Sequence, residues 1–290
     1  MIFAVCNPSN SEENQICLAL QILCGFSVEE ISNAFLTNRE TIKKRLHRAK
    51  TQLRNDHFQI KLLEENEIRS RLDIALRTLY LLFNEGYFSK TNDQFIRKDL
   101  CAEALRLGLV LTKNPLTNTP KTNALLSLMC FQSSRLDART DSKGDAILFE
   151  KQDINLWDKS LIEKGNYYLV SACNGNEVSK YHLEAGIAYW HTTPTGENKW
   201  QRILELYNQL ILIEYSPITA LNRAFAFAKV NGNKKAISET KKLNLRDSNY
   251  YHGLLGYLYA DLDNQKAIEH YKKAIELTKS KTEKRTLEKK

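Results

Sequence analysis

Turn-forming residues are scarce in this 290-residue chain, with 11 Gly and 5 Pro in all. A many-stranded sheet needs a turn every ~8–12 residues, usually built on those residue types, so the shortage favours helices joined by short connections. The cysteines Cys6, Cys17, Cys24, Cys101, Cys130 and Cys173 form no CxxC pair and do not cluster with the six histidines. The metal and redox motifs that depend on such spacing are excluded, and each cysteine has the apolar setting of a buried free thiol. No apolar run reaches the roughly 18 residues that a membrane span requires. The opening Met1-Ile2-Phe3-Ala4-Val5 has neither the basic start nor the cleavage site of a signal peptide. The expected compartment is therefore the reducing cytoplasm. GxSxG, P-loop and GxGxxG motifs are all missing, and His182 and His191 stand nine apart, without the HExxH spacing of a zinc site. No enzyme activity, metal or cofactor is expected.

What the chain has in excess is positive charge. Its formal net charge is +8 and its pI about 9.0, which suits a polyanionic partner without requiring one. The excess is local. Between Arg39 and Arg54 stand seven Lys or Arg and a single acid, Glu40, and a second basic run closes the chain from Lys279 to Lys290. At 42% hydrophobic and 26% charged residues the chain can still bury an ordinary globular core, and its length suits two or three of them.

Pattern divides the chain into residues 1–55, a polar linker over 56–71 that is helical at least in part, a helical block over 72–175, and repeats over 176–290. In the first block, Ile16, Leu20 and Leu23 share a face of a helix beginning near Ser11. Ser27-Val28-Glu29-Glu30 has the form of a capping box, opening a short helix whose Val28, Ile31 and Phe35 point one way. A break at Leu36-Thr37-Asn38 precedes a third helix reaching about Arg54, capped by Asn38 or by Thr37 paired with Glu40. In the second block, Leu76-Leu79-Leu82-Phe83 and Leu100-Ala104-Leu107-Leu111 have helical spacing, with loops expected over 114–123 and 137–144. In the third, Gly232-Asn-Lys-Lys-Ala236-Ile recurs as Asp263-Asn-Gln-Lys-Ala267-Ile. A fainter copy places Ile203, Tyr207 and Leu210 where Ala267, Tyr271 and Ala274 stand later. A period of roughly 31–33 residues is that of stacked helical hairpins. The last copy resembles a tetratricopeptide repeat with an inter-helix turn one residue short. The fold class is thus all-α: a helix-turn-helix followed by a tetratricopeptide-like array.

Projected at about 100° per residue, the third helix separates an apolar stripe, Ile42, Leu46, Ala49 and Leu53, from a face carrying Glu40, Lys43, Lys44, His47, Arg48 and Thr51. Arg45 and Lys50 lie on the flanks. Long donors on the outer face suit the base edges of a major groove, and flanking cations suit the two phosphate backbones. A basic solvated helix without a ligand is equally common by charge alone, but the preceding capped helix and three-residue break favour a DNA reader.

These segments, Phe26-Ser-Val-Glu-Glu-Ile31-Ser-Asn-Ala-Phe35 and Thr41-Ile-Lys-Lys-Arg45-Leu-His-Arg48-Ala-Lys50, resemble region 4 of the sigma-70 family. More narrowly, the chain is similar to extracytoplasmic-function sigma factors with a C-terminal helical-repeat extension. Leu79-Tyr-Leu-Leu-Phe-Asn84-Glu85-Gly86-Tyr87, Arg97-Lys-Asp-Leu-Cys-Ala-Glu103-Ala-Leu-Arg106-Leu, Gln152-Asp153 with Trp157, and Leu221-Asn222-Arg223-Ala224 carry that likeness. The resemblance implies promoter −35 DNA and core RNA polymerase as partners and promoter recognition as activity. It also implies a regulatory extension, whose helical repeats could receive a regulatory protein. It matches Lys43, Lys44, His47 and Arg48 to base-facing positions. The expected DNA-binding set is Arg39, Thr41, Lys43, Lys44, Arg45, His47, Arg48 and Lys50. Region 2, which in that family opens the −10 element, has no counterpart before the helix-turn-helix, so promoter melting is not expected of these residues alone.

Two other classes stay open: a stand-alone DNA-binding regulator, which would bind its site without polymerase, and a repeat scaffold, which would show no salt-dependent DNA binding. For Asn84-Glu85-Gly86-Tyr87 the resemblance implies a pocket or an interface contact, and the simpler reading is a glycine-ended helix with Glu85 capping a neighbour. For Trp157, Trp190 and Trp200, with the tyrosines of the third block, it is helix packing and not a ligand cage.

Overall fold

The computed structural model describes residues 2–60, 62–89, 96–142, 144–193, 198–278 and 281–288. Every named regular element among them is helical, and the sole strand-like feature is a single antiparallel bridge between Thr140 and Ala146. The expected all-α class holds.

The chain up to Asn55 forms α1 (Ile2–Val5), α2 (Glu12–Leu23), α3 (Val28–Ala34) and α4 (Arg39–Asn55). The capping box at Ser27 is formed: Ser27 Oγ accepts from the Glu30 amide, and the Glu30 carboxylate accepts from the Ser27 amide at 2.7 Å. Asn38, not Thr37, caps α4, its Oδ1 accepting from the Thr41 amide at 2.8 Å. Leu36, in the turn between them, takes the left-handed conformation (φ 51°) and stays exposed, which allows a turn this short. The linker is irregular over 56–60 and 62–63, and Glu64 then caps α5 (Glu65–Tyr87). Its second half is thus the first turns of a long helix, where buried Arg71 donates to the Phe3 carbonyl at 2.8 Å and pairs with Glu67.

The extension continues with α6 (Lys98–Leu111), α7 (Pro120–Ser133), α8 (Lys159–Ala172), α9 (Lys180–Thr192), α10 (Lys199–Ile213), α11 (Pro217–Asn231), α12 (Asn233–Lys242), α13 (Asn249–Tyr259), α14 (Asn264–Leu277) and α15 (Lys281–Glu288). The loop expected over 114–123 ends earlier, at Thr119. Pro120 is the first residue of α7, where its missing N–H is not needed, and Thr119 caps the helix. Pro217 and Ser216 open α11 in the same way. In the stretch expected as a loop over 137–144, a 3-10 turn (Leu136–Ala138) leads to the Thr140–Ala146 bridge.

Gly86 does not end its helix. It lies one residue inside α5, where a Cβ would stand 2.8 Å from the Cys101 amide nitrogen and 2.9 Å from the Arg97 carbonyl oxygen, so only glycine lets α5 and α6 approach this closely. Glu85 beside it is buried and accepts from Ser89 Oγ at 2.6 Å.

One apolar core runs from Val5 in α1 through α2–α7 to Tyr181 in α9, without a gap at the end of α4. Smaller clusters follow: Leu183, Ile187, Ile203, Leu204 and Leu210 between α9 and α10, then Leu221, Ile237, Leu255 and Leu258 across α11–α13. The repeat is visible in the packing. Ala236 in α12 and Ala267 in α14 are both buried at equivalent places, and Gly256 in α13 admits the Tyr271 ring of α14. The hairpins are irregular: Gly232 alone (φ 85°) joins α11 to α12, whereas Ala260 to Asp263 separate α13 from α14. Of the six cysteines, Cys6, Cys17, Cys101 and Cys130 are buried as expected. Cys24 is only partly so, and Cys173 is exposed where α8 ends. Lys279 and Lys290, the limits of the basic tail, lie outside the described residues.

Candidate nucleic-acid interface and an interior cleft

The stripe expected to hold α4 in place does so: Ile42, Leu46, Ala49 and Leu53 are all buried, and α4 packs on α2 and α3. The opposite face is open. Lys43, Lys44, His47, Arg48, Lys50 and Thr51 are exposed, and so is Arg39. Lys44, His47, Arg48 and Lys50 make no hydrogen bond or ion pair among the described residues, leaving a row of donors along the outer side of the helix. The other members of the expected set are engaged. Arg39 pairs with Glu29 of α3, and Lys43 pairs with Glu40 at 2.8 Å, holding the Glu40 carboxyl below its ordinary range. Thr41 is half-buried, its amide taken by the cap. Arg45 turns inward over the Phe35 ring, 5.3 Å from its centroid, beside the Cys17 thiol.

This helix-turn-helix is tied to the extension by an ion pair as well as by the shared core. The Glu30 carboxylate that closes the capping box also accepts from Arg97 at 2.6 Å, and both side chains are largely buried. Burial pushes the Glu30 carboxyl up, but hydrogen bonds from Ser27 and the Arg97 guanidinium outweigh it and hold the group below the usual carboxylate range.

A second site is marked only in part by the sequence motifs. The wall of a cleft of about 930 Å³ runs from the α3–α4 turn (Ala34, Phe35, Leu36) past α5, α7 and α9–α11 to Tyr257 of α13. Trp190 and Trp200 pack against the α9–α10 cluster and Tyr257 against the α11–α13 cluster, as expected, and Trp200 and Tyr257 also line this cleft. Two charge environments share the cavity. At one end the Tyr80 hydroxyl donates to Glu184 at 3.0 Å, and Lys180 pairs with Glu214 at 2.7 Å. Burial pushes the Glu184 carboxyl up to about 7 against the pull of Lys180 and the Tyr80 hydroxyl. At the other end stand Arg135, His191, Trp200 and Phe149, with Lys199 beside them. Asn84, Glu85 and Tyr87 of the singled-out tetrapeptide also reach this wall. The sequence motifs mark only part of the cleft, through this tetrapeptide and Asn222, whereas Arg135, His191 and Trp200 come from three elements far apart in the chain and share no motif.

Among the described residues no group of three or more His, Cys, Asp or Glu could hold a metal ion, and no helix is long and apolar enough to cross a membrane. Residues 71–173 match a family of unknown function, DUF6596. The chain is 32% identical over 266 residues to an uncharacterized protein, R00370, of Rhizobium meliloti (strain 1021). That match takes in 90% of this chain and 63% of the relative, so the chain spans under two thirds of the relative's length. No solved structure matches it. The match to DUF6596 begins inside α5 and ends just past α8. It therefore covers most of the helix against which α2 and α3 pack and leaves out α4.

Proposed function

We propose that the chain is a cytoplasmic, sigma-type transcription initiation factor that reads promoter −35 DNA with the outer face of α4 and binds core RNA polymerase. The helical extension regulates that engagement through contacts and not through catalysis. The observation that carries this reading is the exposed row Lys44, His47, Arg48 and Lys50 on a capped helix whose opposite stripe is buried. Unpaired long donors on a helix held by its back are what groove insertion requires, and neighbouring cations neutralise phosphates. Lys43, Arg39 and Arg45 take part after giving up or sharing their present partners. The experiment is fluorescence anisotropy on duplexes carrying −35-like sequences, together with co-elution with core RNA polymerase. Specific duplex binding with polymerase co-elution is the expected result. Specific DNA binding with no affinity for core polymerase would replace the reading with a stand-alone regulator, and loss of both would leave a repeat scaffold.

A further inference from the structure

The Arg135 end of the cleft holds polar atoms that the protein leaves unanswered. Arg135, just past the end of α7, is 9% exposed and has no carboxylate partner among the described residues. Its guanidinium lies over the Phe149 ring, 5.1 Å from the centroid, and one terminal nitrogen donates to the Tyr87 hydroxyl at 2.9 Å. Its Nε is buried and unpaired, and the same is true of Gln132 Oε1, one turn earlier, and of His191 Nδ1. All three side chains line the cleft. Buried polar groups are normally hydrogen-bonded, so three orphans at one end of a cavity describe the outline of something that completes them.

The chemistry of that complement is legible. Lys199 adds a second cation, and its hydrogen bond to the His191 carbonyl is a long one, 3.5 Å. Burial and the neighbouring Arg135 charge hold its ammonium below the ordinary lysine range. Burial, together with Arg135 and Lys199, pushes the His191 imidazole down to about 3, so the ring is neutral and its Nδ1 can accept or donate. A buried cation on the cleft wall, Arg135, with a half-buried one, Lys199, beside it, neither paired with a carboxylate among the described residues, calls for an anion. The wall is aromatic: the His191 and Trp200 rings meet edge to face at 5.6 Å, Trp200 and Phe225 do so at 5.7 Å, and Phe225 and Tyr257 lie 5.4 Å apart. Gln132 Oε1 is an acceptor and asks for an N–H or O–H.

We infer that this end of the cleft binds a small planar aromatic carboxylate that also carries a hydrogen-bond donor, its anionic group on Arg135 and Lys199, its donor on Gln132 and its ring against Trp200. The cleft's volume lies within the range of small-molecule sites, about 300–1,000 Å³. The assignment does not depend on DNA or polymerase binding.

Isothermal titration calorimetry of the full chain with 6-hydroxy-2-naphthoate tests it, with 6-hydroxy-2-naphthamide as the neutral counterpart. The naphthoate should bind at one site per chain, and the amide at least tenfold more weakly. Lys199→Gln, at a half-exposed position, should weaken the naphthoate several-fold and leave the amide unchanged. Arg135→Lys keeps the charge and removes the Nε donor; it should weaken binding at least tenfold, with unfolding transitions recorded to confirm that the variant folds. Lys180→Gln, at the other end of the cleft, should leave binding unchanged. Absence of naphthoate binding at millimolar concentration, equal affinity for the amide, or affinity unmoved by Lys199→Gln would each overturn the assignment.

Discussion

The outer face of α4 and the Arg135 end of the cleft are both basic, yet their cations exist under opposite conditions. Lys44, Arg48 and Lys50 stand in water, where solvent already balances their charge and salt screens it within about 10 Å at 0.1 M. Arg135 is buried and Lys199 half-buried, both set over one aromatic ring, where burial and the Arg135 charge together lower the Lys199 ammonium. The first arrangement suits a long polyanion whose affinity comes from many weak, screened contacts. The second suits a small anion met by few strong ones. A positive net charge cannot tell these cases apart, and burial can.

The two basic regions should part most clearly at α4. The double substitution Lys44→Ala with Arg48→Ala should lower affinity for a specific duplex by ~2–6 kcal/mol, roughly thirtyfold or more, if each side chain reads a base edge. Lys199→Gln should leave that affinity unchanged by anisotropy. Equal losses from both would mean that the two basic regions serve one ligand.

A titrating carboxyl marks the opposite end of the cleft. Glu184 is raised in the folded protein, so the stability it contributes is present below the ordinary carboxylate value and is lost as pH rises through about 7. Glu184→Gln, which keeps an acceptor for Tyr80, should match the parent protein near pH 4. By pH 8 it should be more stable by about 1–3 kcal/mol in urea unfolding. A constant difference across that window would place the carboxyl in water.

Glu30 works with the opposite sign. Its carboxyl is lowered, so its contribution is present above the ordinary carboxylate value and lost as pH falls through its own lower one. Glu30→Gln should cost about 1–2 kcal/mol at pH 7, and the cost should vanish in acid, as urea unfolding at the two pH values would record. The smallest effect is expected at Lys50. Its replacement by Ala should move stability by less than about 0.5 kcal/mol, weaken all duplexes alike and reduce the slope of log affinity against log salt by about 1.

The helix-turn-helix is legible in the sequence because everything that defines it is local. The stripe Ile42-Leu46-Ala49-Leu53, the Ser27 box and the Asn38 cap are each set by residues within a few turns of one another. The inward turn of Arg45 is not legible, since it depends on Phe35 and Cys17 from outside its own helix. Gly86 escapes for the same reason: whether a glycine ends a helix or admits a neighbour depends on α6, not on α5. The repeat period identifies α12 and α14 but not the packing that sets Tyr257 and Arg135 on one cleft, and no spacing rule joins residues that far apart.

The unbroken core from Val5 to Tyr181 has a consequence for how such a chain can be rearranged. A DNA-binding domain with its own closed core can be cut free and fused to other partners as a portable part. Here α1, α2 and α3 lean on α5, and Glu30 shares its charge with Arg97 at the start of α6. A hybrid made by joining α1–α4 to a foreign extension would inherit half of an interface. Under the proposed DNA-reading role of α4, exchange of specificity should therefore succeed by grafting only its outer, unpaired residues, and fail when the whole module is transplanted.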